Sequence, residues 1–140
     1  MSIFPTKILL ATDGSEDAQL ATTTAVDLAK RLDSELHVVY VGHVLDPGFK
    51  SRIGERAEVA AKTKLEEQLQ KIKEASGEAT QAHARVGLPA AEILRLAEEL
   101  DDGLIVMGSR GLGGIRRALM GSVSDSVVRH AHCPVIIVRQ

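Results

Sequence analysis

Short apolar runs alternate along this chain with stretches in which apolar residues recur every three or four positions. Continuous apolar runs are typical of strands that are buried on both faces of a parallel sheet. Turn residues such as glycine and proline separate these runs from the stretches with helical spacing. We therefore predict five strands, which are Lys7–Ala11, Leu36–Val41, Thr80–Val86, Leu104–Met107 and Val135–Val138.

Four helices are predicted between these strands. The first follows the N-cap residue Ser15 and reaches Leu32, the second covers Glu55–Ala75, the third begins near Pro89 and reaches Leu100, and the fourth covers Ser122–His132. Gly42–Gly54 and Gly108–Gly121 are predicted loops. Strict alternation of strands and helices indicates a parallel sheet with helices on both faces. We predict a single doubly wound α/β domain over residues 1–140.

The amino-acid composition argues against several classes of function. Aromatic residues are scarce and the net charge is −2, which disfavours binding of single-stranded nucleic acid or of a phosphate backbone. Cys133 is the single cysteine, so the sequence excludes an internal disulfide framework and favours a reducing compartment. No apolar run approaches the roughly 18 residues of a membrane helix, and no signal peptide is evident. We expect a cytoplasmic protein without nucleic-acid or membrane partners.

The segment Gly108–Ser122 is the best candidate for chemistry. Its glycines allow backbone N–H groups to approach an anion, and Ser122 begins a helix whose N-terminus favours phosphate. Between Gly108 and Ser124 the sequence contains three arginines and no carboxylate. The segment lacks the Gly-Lys-Ser/Thr of a P-loop and does not follow the first strand, as the dinucleotide fingerprint would. We predict that it binds a polyanion.

Asp13 follows the first strand, at the edge of the sheet where open α/β sheets bind ligands. Its carboxylate could accept hydrogen bonds from ribose hydroxyls, help to hold a divalent ion, or cap the following helix. If the first and fourth strands are neighbours, Asp13 and Gly108 face each other across one crevice. This convergence of two distant segments predicts a nucleotide site.

The spacing Gly108-x2-Gly111-x9-Gly121-Ser122 resembles the nucleotide-binding pattern of universal stress proteins. Similar family-like segments are Lys7–Ser15, Val86–Ile93, Ile105–Gly111 and His132–Val138, so the resemblance covers essentially the whole chain. It implies a five-stranded sheet of order 3-2-1-4-5, a homodimer, and binding of ATP (or AMP or ADP) with Mg²⁺ as a possible companion ion.

By position, the resemblance also implies the residues of the site. The adenosine pocket would be formed by Ala11, Thr12 and Asp13, and the backbone of Val41 would contact adenine. Met107 and Gly108 would form the floor beneath the ribose and phosphates. The residues around the phosphates would be Arg110, Gly111, Gly121, Ser122 and Val123. Because aromatic residues are scarce, adenine would lie in an apolar slot rather than in a stack.

Three functions remain open from the sequence. The first is an ATP-binding regulatory or protective module, in which the nucleotide orders the glycine-rich loop. The second is a slow ATPase or phosphotransferase that uses Asp13 and a divalent ion. The third is a scaffold whose site is vacant. Ser15 and Ser122 are interpreted as helix-capping serines rather than nucleophiles, and no cysteine or histidine set has zinc spacing.

The last predicted strand, Val135–Val138, would lie at the edge of the sheet in the order that the resemblance implies. An apolar edge strand exposes unpaired backbone groups, which proteins normally cover. Pairing with the same strand of a second copy about a two-fold axis would cover them. We therefore expect a homodimer through this strand.

Overall fold

Five strands and four helical segments alternate in the computed structural model, which describes residues 7–12, 16–43, 80–109 and 121–139 and helical residues between 56 and 74. The strands are β1 (Lys7–Ala11), β2 (Glu35–His43), β3 (Gln81–Gly87), β4 (Leu104–Gly108) and β5 (Val135–Val138). The helices are α1 (Glu16–Leu32), α2 (helical residues between 56 and 74), α3 (Pro89–Glu99) and α4 (Ser122–His130). None of the described helices is both long enough and apolar enough to cross a membrane.

The sheet is parallel throughout, and its strand order is β3-β2-β1-β4-β5. β1 is therefore central, and Ala11 at its carboxyl end pairs with Val39 of β2 and Met107 of β4. The chain reverses the direction in which it adds strands between β1 and β4, which is the switch point where such sheets bind ligands. The predicted doubly wound fold and its strand order are confirmed.

Alternate residues of β1 face two separate cores, as the two-residue period of a strand requires. Ile8 and Leu10 are fully buried on one face, where α1 covers them with a cluster that includes Ala21 and Ala25. These two alanines are fully buried, and their small side chains allow α1 to lie close to the sheet. On the other face the core includes Leu9, Ala11, Val39, Ile105, Met107, Ile93, Leu96, Ala97 and Val127.

Several element boundaries differ from the predicted ones by one residue, and two, at the ends of β2 and α4, differ by two. Gly42 and His43 were predicted to begin a loop, but they pair in register with Val86 and Gly87 and so belong to β2. Backbone pairing with a neighbouring strand overrides the low strand propensity of glycine here. α4 ends at His130 rather than His132, because Ala131 adopts an extended backbone with φ −69° and ψ 144°.

Candidate functional site

An apolar wall lies at the carboxyl edge of the sheet, on the face covered by α3 and α4. It consists of Ala11, Val41 and Met107, which pack in or against the same core cluster. Ala11 and Met107 are register partners on the neighbouring strands β1 and β4, and both are buried. The residues that the resemblance assigns to adenosine (Ala11 and Val41) and to the floor beneath the ribose and phosphates (Met107) therefore share one face of the sheet.

Thr12 extends the β1–β2 ladder by one residue beyond the strand. Its N–H group donates to the carbonyl of Val39 at 3.0 Å, and the residue is buried. The position of the chain as it leaves β1 is therefore fixed by backbone pairing. Asp13, which comes next, lies outside the described residues.

The start of α4 presents backbone donors at the same edge. Gly121 is the N-cap, with φ −67° and ψ 161°, and the first bond of the helical ladder runs from the Asp125 N–H to the Gly121 carbonyl at 2.9 Å. The N–H groups of Ser122, Val123 and Ser124 precede that ladder, as the first N–H groups of any helix do. Together with the helix dipole, they form a site that favours an anion. Ser122 is exposed, so this helix end is open to solvent.

Three residues hold the start of α4 against the end of β4, and we call them the serine clamp: Ser109, Gly121 and Ser124. The Gly121 N–H donates to the Ser109 carbonyl at 2.6 Å. The Ser124 hydroxyl lies 2.7 Å from the same carbonyl and 3.1 Å from the Gly121 carbonyl. Ser109 and Ser124 are both buried. The two residues that bound the segment 110–120 are therefore joined through one carbonyl group.

The N–H group of Ser109 ties the same residue to the edge strand. The Ser109 N–H donates to the carbonyl of Val138, the last residue of β5, at 3.0 Å. Ser109, the residue that follows β4, is thus held to β5 through its N–H group and to the start of α4 through its carbonyl. These bonds use backbone groups and one hydroxyl, so none of them depends on an ionisable side chain.

A cluster of ionisable side chains lies on the other side of the apolar wall, and we call it the histidine–arginine flank. Its members come from β2, β3 and α3 and are His37, His83, Arg85, Glu92 and Glu99. The His37 Nδ1 and His83 Nε2 atoms are 3.0 Å apart, and the two rings stack with centroids 5.3 Å apart. Arg85 reaches Glu99 at 3.0 Å and Glu92 at 3.8 Å, which ties β3 to α3.

Charges in the flank act on one another. Burial lowers the pKa of His83 below its ordinary value of 6.5, and the positive charges of His37 and Arg85 lower it further, while Glu99 opposes them. The hydrogen bond from Arg85 lowers the pKa of the Glu99 carboxyl. His37 is buried, and its second ring nitrogen lies 3.4 Å from a carboxylate oxygen of Glu35. The flank therefore responds to pH, in contrast to the serine clamp.

The structure brings together most of the residues assigned from the sequence. The described ones are Ala11, Thr12, Val41, Met107, Gly108, Gly121, Ser122 and Val123, and all of them lie at the carboxyl edge of the sheet or at the start of α4. Asp13, Arg110 and Gly111 lie outside the described residues. Val123 packs against the same core cluster as Val41.

The interpretation of Ser122 as a helix cap is wrong. Gly121 occupies the N-cap, and Ser122 is the first helical residue, so its side chain is not at the position that caps the helix. Sequence reasoning also missed Ser109 and Ser124. The available signal was Ser124, a polar residue three positions after the N-cap. Its hydrogen-bond acceptor, the Ser109 carbonyl, lies 15 residues earlier in the chain.

Side chains that could bind a metal ion do not cluster in the described part of the chain. Within those residues, no group of three or more histidine, cysteine, aspartate or glutamate side chains is arranged to hold an ion. The backbone N–H groups at the start of α4 suit an anion and do not bind a cation.

The chain is similar to a known protein family, to individual members of it and to solved structures. The model of the universal stress protein family matches residues 5–139. A universal stress protein of Methanocaldococcus jannaschii is 35% identical over 144 residues, covering 96% of this chain and 82% of the relative. The structure of UspA from Lactobacillus plantarum has a TM-score of 0.82 and 29% identity, and the match covers 99% of this chain and 100% of that one.

A second similar structure is that of a universal stress protein in complex with cAMP. It has a TM-score of 0.74 and 25% identity, and the match covers 96% of this chain and 97% of that one. The family model spans nearly the whole chain, and the fold matches that of the similar universal stress protein structures. This chain belongs to the universal stress protein family.

Proposed function

We propose that this protein binds an adenine nucleotide, with ATP as the first candidate, and acts as a nucleotide-dependent regulatory or protective module. The base and ribose would lie against the apolar wall, and the phosphates would lie at the start of α4. AMP and ADP share most of these contacts, and Mg²⁺ would accompany the phosphates rather than occupy a site of its own.

The observation that supports this proposal is the position of the α4 N-terminus relative to the wall. The serine clamp holds the start of α4 at the end of β4, and Met107 of β4 belongs to the wall. Apolar surface and anion-binding N–H groups therefore meet at one sheet edge, at the switch point of the fold. The related protein whose structure contains cAMP gives the ligand class independent support.

Tyr40 supports the expectation that adenine is held without stacking. It packs against the core on the α1 face, whereas its neighbour Val41 packs on the face of the apolar wall. Successive side chains of a strand point to opposite faces, so the ring of Tyr40 is directed away from the candidate site. Aliphatic contacts and backbone hydrogen bonds would therefore recognise the base.

Calorimetry on a Gly121→Val variant tests the proposal. The backbone of Gly121 adopts dihedrals that any residue accepts, so the variant should fold. Its side chain would project at the start of α4 and obstruct phosphates, and we expect ATP affinity to fall by more than about tenfold. Gly121→Ala is the matched control and should lose less. Unchanged ATP affinity in Gly121→Val would show that the phosphates lie elsewhere.

The enzymatic alternative makes a different prediction. If Asp13 and a divalent ion polarised the phosphates, steady-state turnover of ATP should approach about one per second, as in ordinary enzymes. Asp13→Ala would then abolish turnover while leaving much of the affinity. If Asp13 instead reads the sugar, the same variant should weaken ribonucleotides more than deoxyribonucleotides. A binding module requires no such turnover.

We also propose that the protein forms a homodimer through β5. β5 lies at the edge of the described sheet, where it pairs with β4, and its four residues are half-buried in the single chain. Antiparallel pairing with a second β5 would satisfy the outer backbone groups and cover these aliphatic side chains. Light scattering at micromolar concentration should give twice the mass of one chain, and a monomer would refute the proposal.

A further inference from the structure

The Ser124 hydroxyl is a buried polar group that takes no part in the proposed nucleotide contacts. The residue is 2% exposed, and its hydroxyl faces two carbonyl oxygens, those of Ser109 at 2.7 Å and Gly121 at 3.1 Å. A serine hydroxyl has one hydrogen to donate, and the shorter contact with Ser109 has the better length for an O–H···O bond. The bond therefore joins α4 to the end of β4.

The Ser109 carbonyl accepts two hydrogen bonds, one from Ser124 and one from the Gly121 N–H. A carbonyl oxygen has two lone pairs, so both are occupied. The Gly121 N–H is consequently engaged within the protein and is not a donor to a ligand. The N–H groups left for an anion at this helix start are those of Ser122 and the residues that follow it.

We propose that Ser124 is a positioning residue for the nucleotide, acting through the start of α4 and not by contact with the ligand. Its hydroxyl fixes the position and orientation of the first turn of α4 relative to β4. It therefore also fixes the directions in which the Ser122 and Val123 N–H groups point. This inference rests on the proposed function. It adds a residue whose effect should grow with the number of phosphates.

A merely structural role for Ser124 would give a different pattern. General loosening of the fold would weaken adenosine and ATP alike, because both would bind the same smaller folded fraction. A displaced first turn would weaken the phosphate contacts and leave the apolar wall unchanged. The dependence of the loss on phosphate number therefore separates the two roles.

The experiment is calorimetry of ATP, ADP, AMP and adenosine with the wild type, Ser124→Ala and Ser124→Thr. Ser126→Ala is the matched control, because it makes the same chemical change two residues along the helix. We expect Ser124→Ala to weaken ATP by about tenfold and adenosine by less than about twofold. Ser124→Thr keeps the hydroxyl and should recover most of the ATP affinity, and Ser126→Ala should match the wild type.

Two results would overturn the positioning role while sparing the proposed function. One is equal weakening of ATP and adenosine in Ser124→Ala, and the other is wild-type affinity for ATP in that variant. If Ser124→Ala does not fold, Ser124→Cys takes its place, because its thiol has a similar shape but is a much weaker donor to the Ser109 carbonyl. A larger loss for ATP than for adenosine would then support the positioning role, and equal losses or wild-type affinity for ATP would overturn it. If the wild type binds none of the four ligands, the proposed function itself is wrong, and the positioning role falls with it.

Discussion

The serine clamp and the histidine–arginine flank hold two neighbouring helices to the same face of the sheet with different chemistry. The clamp fixes α4 to β4 with one hydroxyl and backbone groups, all buried or half-buried. The flank fixes α3 to β3 with a guanidinium and two carboxylates, and a pair of imidazoles lies beneath it. The apolar wall separates the two.

This difference has a consequence for how each side responds to its surroundings. Neutral hydrogen bonds between buried groups do not titrate and are little affected by salt, so the clamp keeps its geometry over a wide range of conditions. Ion pairs and imidazoles change with pH and ionic strength. The geometry of the side proposed to bind phosphates is therefore insensitive to pH and salt, whereas the interactions on the opposite side change with both.

The largest effect is expected from Gly87→Val, at the end of β3 and next to Glu92 of the histidine–arginine flank. Gly87 has a φ of +152°, and a Cβ there would lie 3.2 Å from the Glu92 Cγ. Valine would strain the backbone and push Glu92 away from Arg85, which we expect to lower the free energy of unfolding by about 1–3 kcal/mol. Urea denaturation measures the loss.

Gly121→Val gives the matched comparison in the clamp. Its φ of −67° and ψ of 161° suit any side chain, so the loss of stability should stay below about 1 kcal/mol. The two valine variants should therefore differ: Gly87→Val should lose stability, and Gly121→Val should lose ATP affinity. Equal losses of stability would contradict the contrast between the two glycines.

The second prediction concerns pH. The pKa of His83 is lowered in the folded protein, chiefly by burial and then by the charges of His37 and Arg85, so the unfolded chain binds the proton more readily. The free energy of unfolding should fall as the pH falls from about 7 through the ordinary value of 6.5, and level off below the lowered pKa. Urea denaturation at several pH values measures this slope.

His83→Gln should flatten that slope, because glutamine can place an amide donor near the position of the imidazole nitrogen and does not titrate. His132→Gln is the control, since the His132 ring is exposed and belongs to neither the flank nor the clamp. An unchanged slope in His83→Gln would mean that the flank is not the source of the pH dependence.

The smallest effect is expected from Asp125→Asn, which removes a carboxylate from the first turn of α4. Asp125 pairs with Arg129 at 2.8 Å across one helical turn and favours the positive end of the helix. Its loss should cost a few tenths of a kcal/mol of stability. It should also raise ATP affinity slightly, because one negative charge near the phosphates is gone. A fall in ATP affinity in calorimetry would contradict the placement of the phosphates.

Sequence alone was sufficient for the parts of the molecule that depend on local pattern. The apolar run Lys7–Ala11 predicted a strand buried on both faces, and β1 occupies these residues, with Ile8 and Leu10 fully buried. The loop predicted after β4 lies largely outside the described residues. The apolar wall followed from the positions of Ala11 and Met107 once the strand order was known.

The contacts between distant segments could not be predicted in the same way. Ser124 reaches a carbonyl 15 residues away, and His37 meets a histidine 46 residues away. The first contact depends on how α4 docks on the sheet, and the second depends on the register of β2 and β3, which pairs Val39 with His83. Register is a property of two strands, so neither strand's pattern reveals it.

The hydrogen bond from the Ser109 N–H to the Val138 carbonyl connects the clamp to the edge of the sheet. One residue, Ser109, therefore contacts both the proposed dimer strand, through its N–H group, and the base of the proposed phosphate site, through its carbonyl. Thermodynamic linkage is reciprocal, so if occupancy of either place shifts Ser109, the free energy transferred to the other is the same in both directions. Nucleotide would then change the affinity of self-association by the same factor by which self-association changes the affinity for nucleotide.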